Sequence, residues 1–321
     1  MGSFSVGSSA GSSAEPLVFL TGPTAAGKTD LAVELVENYP FEIISVDSAL
    51  VYRGMDIGTA KPGSETLRRA PHRLIDIVDP AEPYSAARFR DDALQEIEEI
   101  RANGNIPLLV GGTMLYFRAL QFGLSVLPES DRSVRLEIEK DIKDKGIERI
   151  YKQLSDIDTV AAARINRNDP QRIIRALEVY RISGVPMSEL QQQKKREGLN
   201  PDALLMVAIS PDDRSLLHKR IEQRLSIMME SGFIEEVERL KRRRDLSLDT
   251  PSMRSVGYRQ VWEYLDGVMD REEMLYRAVV ATRQLAKRQL TWLRNWPTDI
   301  KWMEPEGNGM AEYIFNNVRN R

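Results

Sequence analysis

The run Gly22-Pro23-Thr24-Ala25-Ala26-Gly27-Lys28-Thr29 fits the pattern G-x-x-x-x-G-K-[ST]. Its glycines let the backbone turn so that N–H groups face phosphate oxygens, and a helix starting at the loop adds partial positive charge. Lys28 offers a point charge for an outer phosphate, and the Thr29 hydroxyl is a candidate magnesium ligand. Residues 16–20 are an apolar run before the loop, and residues 30–36 have helical periodicity after it. Together these features specify a bound diphosphate group. They leave open whether that group is hydrolysed, transferred or released.

Asp47 closes a second apolar run, residues 41–46. At the carboxyl end of a parallel strand it would stand beside the P-loop. There it could accept a proton, hold magnesium through water, or cap the next turn. Thr113, after Val110-Gly111-Gly112, is a second edge residue whose hydroxyl could cap a helix and still face a ligand. Arg220 and Arg224 are four apart in a helical pattern and share a face. They either clamp a phosphate or form surface pairs with Glu222 and Glu230. The basic segments Gln171-Arg172-Ile173-Ile174-Arg175 and Arg254-Ser255-Val256-Gly257-Tyr258-Arg259 fit either phosphate contact or a solvated helix face. Trp292 and Trp296 read as core anchors of the last helix in preference to a stacking surface.

These side chains need a scaffold. Residues 16–20, 41–46, 73–78, 106–110 and 203–209 read as buried strands, with helical patterns between most of them. One helix is expected to start at Ser85 and stop at Asn103-Gly104. The alternation predicts an α/β fold, a P-loop NTPase-like core around a mainly parallel sheet. Residues 128–196 are charged and helical without a buried strand, and read as a helical insertion domain that the polar stretch 191–196 leaves. The core then comprises residues 16–127 and 197–321, helical after residue 209. The Gly/Ser-rich residues 1–15 read as a flexible tail.

The chain has 321 residues, 42% of them hydrophobic, and a net charge of −3. Overall charge therefore gives no sign of nucleic-acid binding, although arginines cluster locally. The absence of cysteine excludes disulfides and cysteine-bound zinc, and two histidines, His72 and His218, cannot form a histidine-rich metal site. No run is apolar enough to span a bilayer and no secretory pattern is present, so the expected location is cytoplasmic, with no membrane partner.

Several segments together resemble the tRNA dimethylallyltransferase (tRNA isopentenyltransferase) family, bacterial type. They are the P-loop, Ser45 through Pro62 with its Asp47-Ser48-Ala49-Leu50, His72 through Pro80, Val110 through Tyr116, Asp169 through Arg172, Val256 through Gln260, and Thr282 through Gln289. Ala26 departs from the serine frequent in the family's loop, which removes a hydroxyl and not the backbone cradle. The resemblance implies transfer of a dimethylallyl group from its diphosphate to N6 of the adenine 3′ of the tRNA anticodon. It implies Asp47 and Thr113 as catalytic residues, Gly22 through Thr29 and Arg224 as the diphosphate site, and Mg2+ as cofactor on Thr29. It further implies tRNA contacts at Asp47, Ser48, Ala49, Leu50, Thr113, Arg135, Gln171, Arg172, Ile173, Ile174, Arg175, Arg254, Ser255, Val256, Gly257, Tyr258 and Arg259. The helical insertion would grip the anticodon stem-loop, and the enzyme is expected to act as a monomer. The residues alone also allow a P-loop kinase of a nucleotide or metabolite, or an RNA-binding module that uses nucleotide as a switch.

Overall fold

The computed structural model describes residues 15–193, 197–305, 307 and 309–319. Most of the expected tail and residues 194–196 of the polar stretch lie outside the described residues. The chain forms two compact units, residues 122–198 and the remainder. The helical unit thus starts six residues before the expected position and ends two after it.

In the larger unit the order begins β1 (Leu17–Thr21), α1 (Lys28–Asn38), β2 (Phe41–Val46), α2 (Ser64–Arg69), β3 (His72–Arg73), α3 (Ala86–Ala102), β4 (Ile106–Gly111) and α4 (Met114–Phe122). The helical unit supplies α5 (Arg132–Lys145), α6 (Ile147–Ile157), α7 (Thr159–Arg164), α8 (Pro170–Ser183) and α9 (Met187–Gln192). The larger unit resumes with β5 (Leu204–Ile209), α10 (Arg214–Glu230), α11 (Phe233–Lys241), α12 (Tyr258–Leu265), α13 (Arg271–Arg294), β6 (Lys301–Met303) and α14 (Met310–Arg319).

The sheet order is β3-β2-β4-β1-β5-β6, with every pairing parallel. β1 and β5 are buried along their whole length, as continuous apolar strands covered by helices on both faces must be. Thr21 lies opposite Gly111, and Gly111 opposite Val46. The P-loop, Asp47 and Gly112-Thr113 therefore leave the sheet abreast, at the carboxyl edge where such sheets hold ligands.

Two elements differ from expectation. The strand expected at residues 73–78 covers only His72–Arg73, because Leu74 and Asp76 adopt left-handed conformations at φ 60° and 56°. Asp76 and Val78 brace the loop that follows Asp47. Asp76 N donates to Leu50 O at 3.2 Å, and Val78 N to Val51 O at 3.0 Å. The three-residue edge strand β6 was not expected. It is short and mostly exposed, so it carries no buried apolar run for a sequence pattern to reveal.

In the helical unit α8 is the central element. Asp169 caps it by accepting from Arg172 N at 3.1 Å, Pro170 opens it, and Gly184 closes it at φ 71°. Its Ile173, Ile174 and Leu177 pack with Ile138, Ile150 and Leu154 in that unit's core.

Candidate active site

Gly22 sits at φ 148°, and a Cβ there would lie 2.2 Å from the Ile209 carbonyl oxygen at the end of β5. Only glycine allows this close approach. Lys28 bends back over the loop, donating from Nζ to Gly22 O at 3.0 Å and Pro23 O at 2.8 Å. Burial, followed by the charge of Arg224, lowers its pKa to about 8 against the opposing pull of Asp47. Arg224 Nη2 donates to Thr24 Oγ1 at 2.5 Å. Its pKa is lowered by burial, while Asp47 favours its charge. A guanidinium remains charged under such shifts. Lys28, Thr29, Ser45, Asp47, Arg220 and Arg224 are among the residues lining a cavity of about 760 Å³. Arg220 and Arg224 thus face the site, and Glu222 pairs instead with Arg283.

Asp47 Oδ1 accepts from Ala49 N at 2.8 Å and Leu50 N at 3.2 Å. The carboxylate therefore caps its turn with one oxygen and has a second oxygen for other chemistry. Thr113 does not use its hydroxyl as a simple helix cap. That oxygen accepts from Ser48 N at 3.0 Å and donates to Ser48 Oγ at 3.4 Å. Asp47, Ser48 and Thr113 also line a second cavity of about 440 Å³, with apolar walls from Met114, Ile221, Leu225 and Met228. Thr24, Asp47, Thr59, Gly112, Arg224 and Gln289 line both cavities. One space is lined by Lys28, Arg220 and Arg224, the other has apolar side chains among its walls, and Asp47 lines both.

The other expected contact residues divide. Ser48, Arg254 and Arg259 are exposed, and Ser255 and Val256 are half-buried beside the second cavity. Tyr258 is fully buried and donates its hydroxyl to Glu236 Oε1 at 2.6 Å, so its ring is part of the core. In the helical unit Gln171 and Arg172 are exposed, and Arg135 is half-buried beside Glu139. Ile173 and Ile174 are core residues because α8 turns them away from solvent. Arg175 is drawn inward, donating to Glu178 Oε2 at 2.9 Å and Pro128 O at 2.6 Å. Trp296 is a core anchor whose indole donates to Gln121 Oε1 at 2.9 Å. Trp292 is not: it is 36% exposed, lines the second cavity and carries Arg118 over its ring at 5.9 Å.

Sequence reasoning passed over two residues at the site. Gln289 on α13 accepts from Thr24 N at 2.9 Å and donates to Gly112 O at 2.9 Å, tying the P-loop to the Thr113 loop. Ser45 is buried on the same cavity wall, and its hydroxyl has no hydrogen-bond partner among the described residues. Both fall within segments that carry the family resemblance, which was their only sequence signal. No group of three or more acidic, histidine or cysteine residues that could hold a metal occurs among the described residues. Magnesium needs few protein ligands when phosphate oxygens and water complete its shell. Thr29, Asp47 and the unpartnered Ser45 hydroxyl are oxygen donors of the fitting kind.

A family model described as IPP transferase matches residues 50–296. The tRNA isopentenylpyrophosphate transferase of Bacillus halodurans is 38% identical over 95% of this chain and 96% of its own, with a TM-score of 0.68. The tRNA delta(2)-isopentenylpyrophosphate transferase of Staphylococcus epidermidis is 30% identical over 96% and 100%, with a TM-score of 0.67. A eukaryotic dimethylallyltransferase, described as acting on tRNA, is 25% identical over 96% of this chain and 80% of its own, with a TM-score of 0.77.

Proposed function

The chain belongs to the IPP transferase family, and from that premise we propose that it moves a dimethylallyl group from dimethylallyl diphosphate to tRNA. The acceptor is N6 of the adenine 3′ of the anticodon, and diphosphate is released. The observation that carries this reading is the position of Asp47, which lines both the P-loop cavity and the apolar-walled one. A group that serves donor and acceptor together has to stand at such a junction.

The residues have distinct work in this reaction. The exocyclic amine is a poor nucleophile because its lone pair is delocalised into the ring. As its nitrogen forms a bond to C1 of the allyl group, the C1–oxygen bond to diphosphate breaks. The proton lost from nitrogen goes to Asp47. Charge grows on the departing diphosphate, where Lys28, Arg224 and the P-loop amides stabilise it. Magnesium, bound by Thr29 with diphosphate oxygens, would supply further charge to the leaving group. Gln289 holds the P-loop and the Thr113 loop in register, limiting the motion of donor relative to acceptor. The adenine must leave its stack to reach this depth. Ser48 and Arg254, which line the second cavity, and the exposed Arg259, with Arg135, Gln171 and Arg172 of the helical unit, are assigned to the anticodon stem-loop.

Among the described residues no helix is long and apolar enough to cross a membrane. We assign the enzyme to the cytoplasm, acting as a monomer. The test is nucleoside mass spectrometry after incubating the protein with magnesium, dimethylallyl diphosphate and unmodified tRNA bearing adenine 3′ of the anticodon. N6-dimethylallyladenosine is expected. Its absence, together with turnover of ATP onto a small acceptor, would replace this reading with a kinase.

A further inference from the structure

Residues 55–61 follow the Asp47 turn, and Gly58 and Thr59 line the second cavity beside Asp47 and Thr113. No strand or helix of the fold holds this segment. Lys61 ties its far end to Tyr52 O at 3.0 Å and to Asp56 at 2.6 Å, and its amides 56–58 are held by a buried acid. Glu236 of α11 is 1% exposed. Its Oε2 accepts from Asp56 N at 2.9 Å and Ile57 N at 2.8 Å, while Oε1 accepts from Gly58 N at 3.1 Å and from the Tyr258 hydroxyl at 2.6 Å. Three consecutive amides thus converge on one carboxylate, a backbone concavity that here holds a side chain of the same protein. All four donors are neutral, so the carboxylate is stabilised by oriented dipoles and not by a cation.

The packing around it admits little movement. Phe233 and Tyr258 meet edge to face at 5.0 Å between centroids. A Cβ at Gly58 would lie 2.0 Å from Phe233 and 2.6 Å from Tyr258. Burial and then the charge of Glu236 raise the Tyr258 pKa, which keeps the phenol a donor. Among the described residues neither Arg224 nor any group of the P-loop, Lys28 included, donates a hydrogen bond to Glu236. Of the three residues whose amides Glu236 holds, Gly58 lines the second cavity and none lines the P-loop cavity.

We infer that Glu236 is a positioning residue for the acceptor: by fixing the amides of residues 56–58 it sets the Gly58 backbone in the wall of the second cavity, against which the tRNA adenine seats. This rests on the proposed transfer reaction. Glu236→Gln keeps size and shape but replaces one acceptor oxygen by an amide that faces N–H donors, so the three-amide arrangement cannot be satisfied.

The test is steady-state kinetics of wild type, Glu236→Gln and Tyr258→Phe, with thermal melting alongside. Wild type forming no prenylated tRNA would sink the reaction itself and leave no role to assign. With wild type active, Glu236→Gln is expected to raise the tRNA KM roughly tenfold and lower kcat, while the KM for dimethylallyl diphosphate stays within about twofold. A merely structural loss reduces the active fraction and moves neither KM. Unchanged KM values for both substrates, with or without a fall in kcat, would therefore overturn the inference, as would an equal rise in both. If Glu236→Gln does not fold, Tyr258→Phe carries the test, since it removes one of four donors. A tRNA KM raised about two- to threefold with the donor KM unchanged then supports the inference, and wild-type kinetics overturn it.

Discussion

Lys28 and Arg224 of the larger unit are held by neutral acceptors, two carbonyls and a threonine hydroxyl, with their charges at a cavity. In the helical unit Arg172, Arg175 and Arg181 lie against Asp169, Glu178 and Asp141. An arginine beside a carboxylate has most of its field cancelled, and its role is to fix geometry. A half-buried cation with no carboxylate in hydrogen-bond contact keeps more of its field and loses solvation, a state that an incoming anion relieves. Both regions are basic in sequence, yet they differ in what holds their cations. This difference separates the proposed diphosphate site from a helical unit stapled mainly by its own ion pairs.

The sharpest way to break the comparison is at the junction. Asp47→Ala should lower the single-turnover rate of transfer by roughly two to four orders of magnitude if Asp47 is the base. Diphosphate binding, measured by calorimetry, should persist because Lys28 and Arg224 remain. An undiminished rate would remove Asp47 from the chemistry and leave it as a turn cap.

The helical unit should respond in stability where the larger unit responds in rate. Ile173 is fully buried among Ile138, Ile150 and Leu154. Ile173→Ala should destabilise that unit by about 2–5 kcal/mol, read as earlier loss of hydrogen-exchange protection in residues 132–192. Protection unchanged there would return Ile173 to the list of RNA contacts.

These two outcomes also mark what the sequence could convey. The P-loop, β2 ending at Asp47, and β4 leading to Thr113 were legible because spacing, apolar runs and edge position are local properties. Arg224 needed the family resemblance, since a helical face alone does not say what it meets. Ile173 and Ile174, expected as RNA contacts, have buried side chains, because a segment that resembles a family's RNA-binding stretch need not present every side chain in it. Helix phase decides, and Asp169 at the cap fixes that phase for α8. Gln289 and Glu236 were not identified because each works through backbone groups far away in the chain, which no periodicity records. The family match beginning at residue 50 adds a further point. It starts beyond the P-loop and Asp47, so the match to the family model does not depend on them.

Lys28 gives a prediction of about tenfold. Its pKa in the free protein is about 8, and a bound diphosphate favours the ammonium and raises it. Below pH 8 the side chain is charged before and after binding, so affinity is flat. Above pH 8 binding must take up a proton, and affinity falls as pH rises. Between pH 7 and pH 9 the dissociation constant of dimethylallyl diphosphate should rise about tenfold, with proton uptake visible as a buffer-dependent heat. The same sign applies to stability. The unfolded lysine holds its proton to higher pH than the folded one, so this group's contribution to stability rises between about pH 8 and pH 10.5. A pH-independent affinity would mean that Lys28 is already fully charged in the free loop.

The smallest effect tests the other side of the comparison. Arg172 lies against Asp169 at 3.3 Å, but its side chain is 68% exposed, so the pair is screened and can be exchanged for a phosphate at little cost. Arg175 is bound to a fully buried glutamate and to a backbone carbonyl, and exchange there would leave Glu178 unpaired. Arg172→Ala should therefore weaken tRNA binding only a few-fold, with the salt slope of log K falling by about one and melting unchanged. Arg175→Ala should instead destabilise the helical unit and change the salt slope little. If the two substitutions acted alike, ion pairing inside the unit would not predict which arginines are available to RNA, and the distinction between fixed and available charge would fail for this arm.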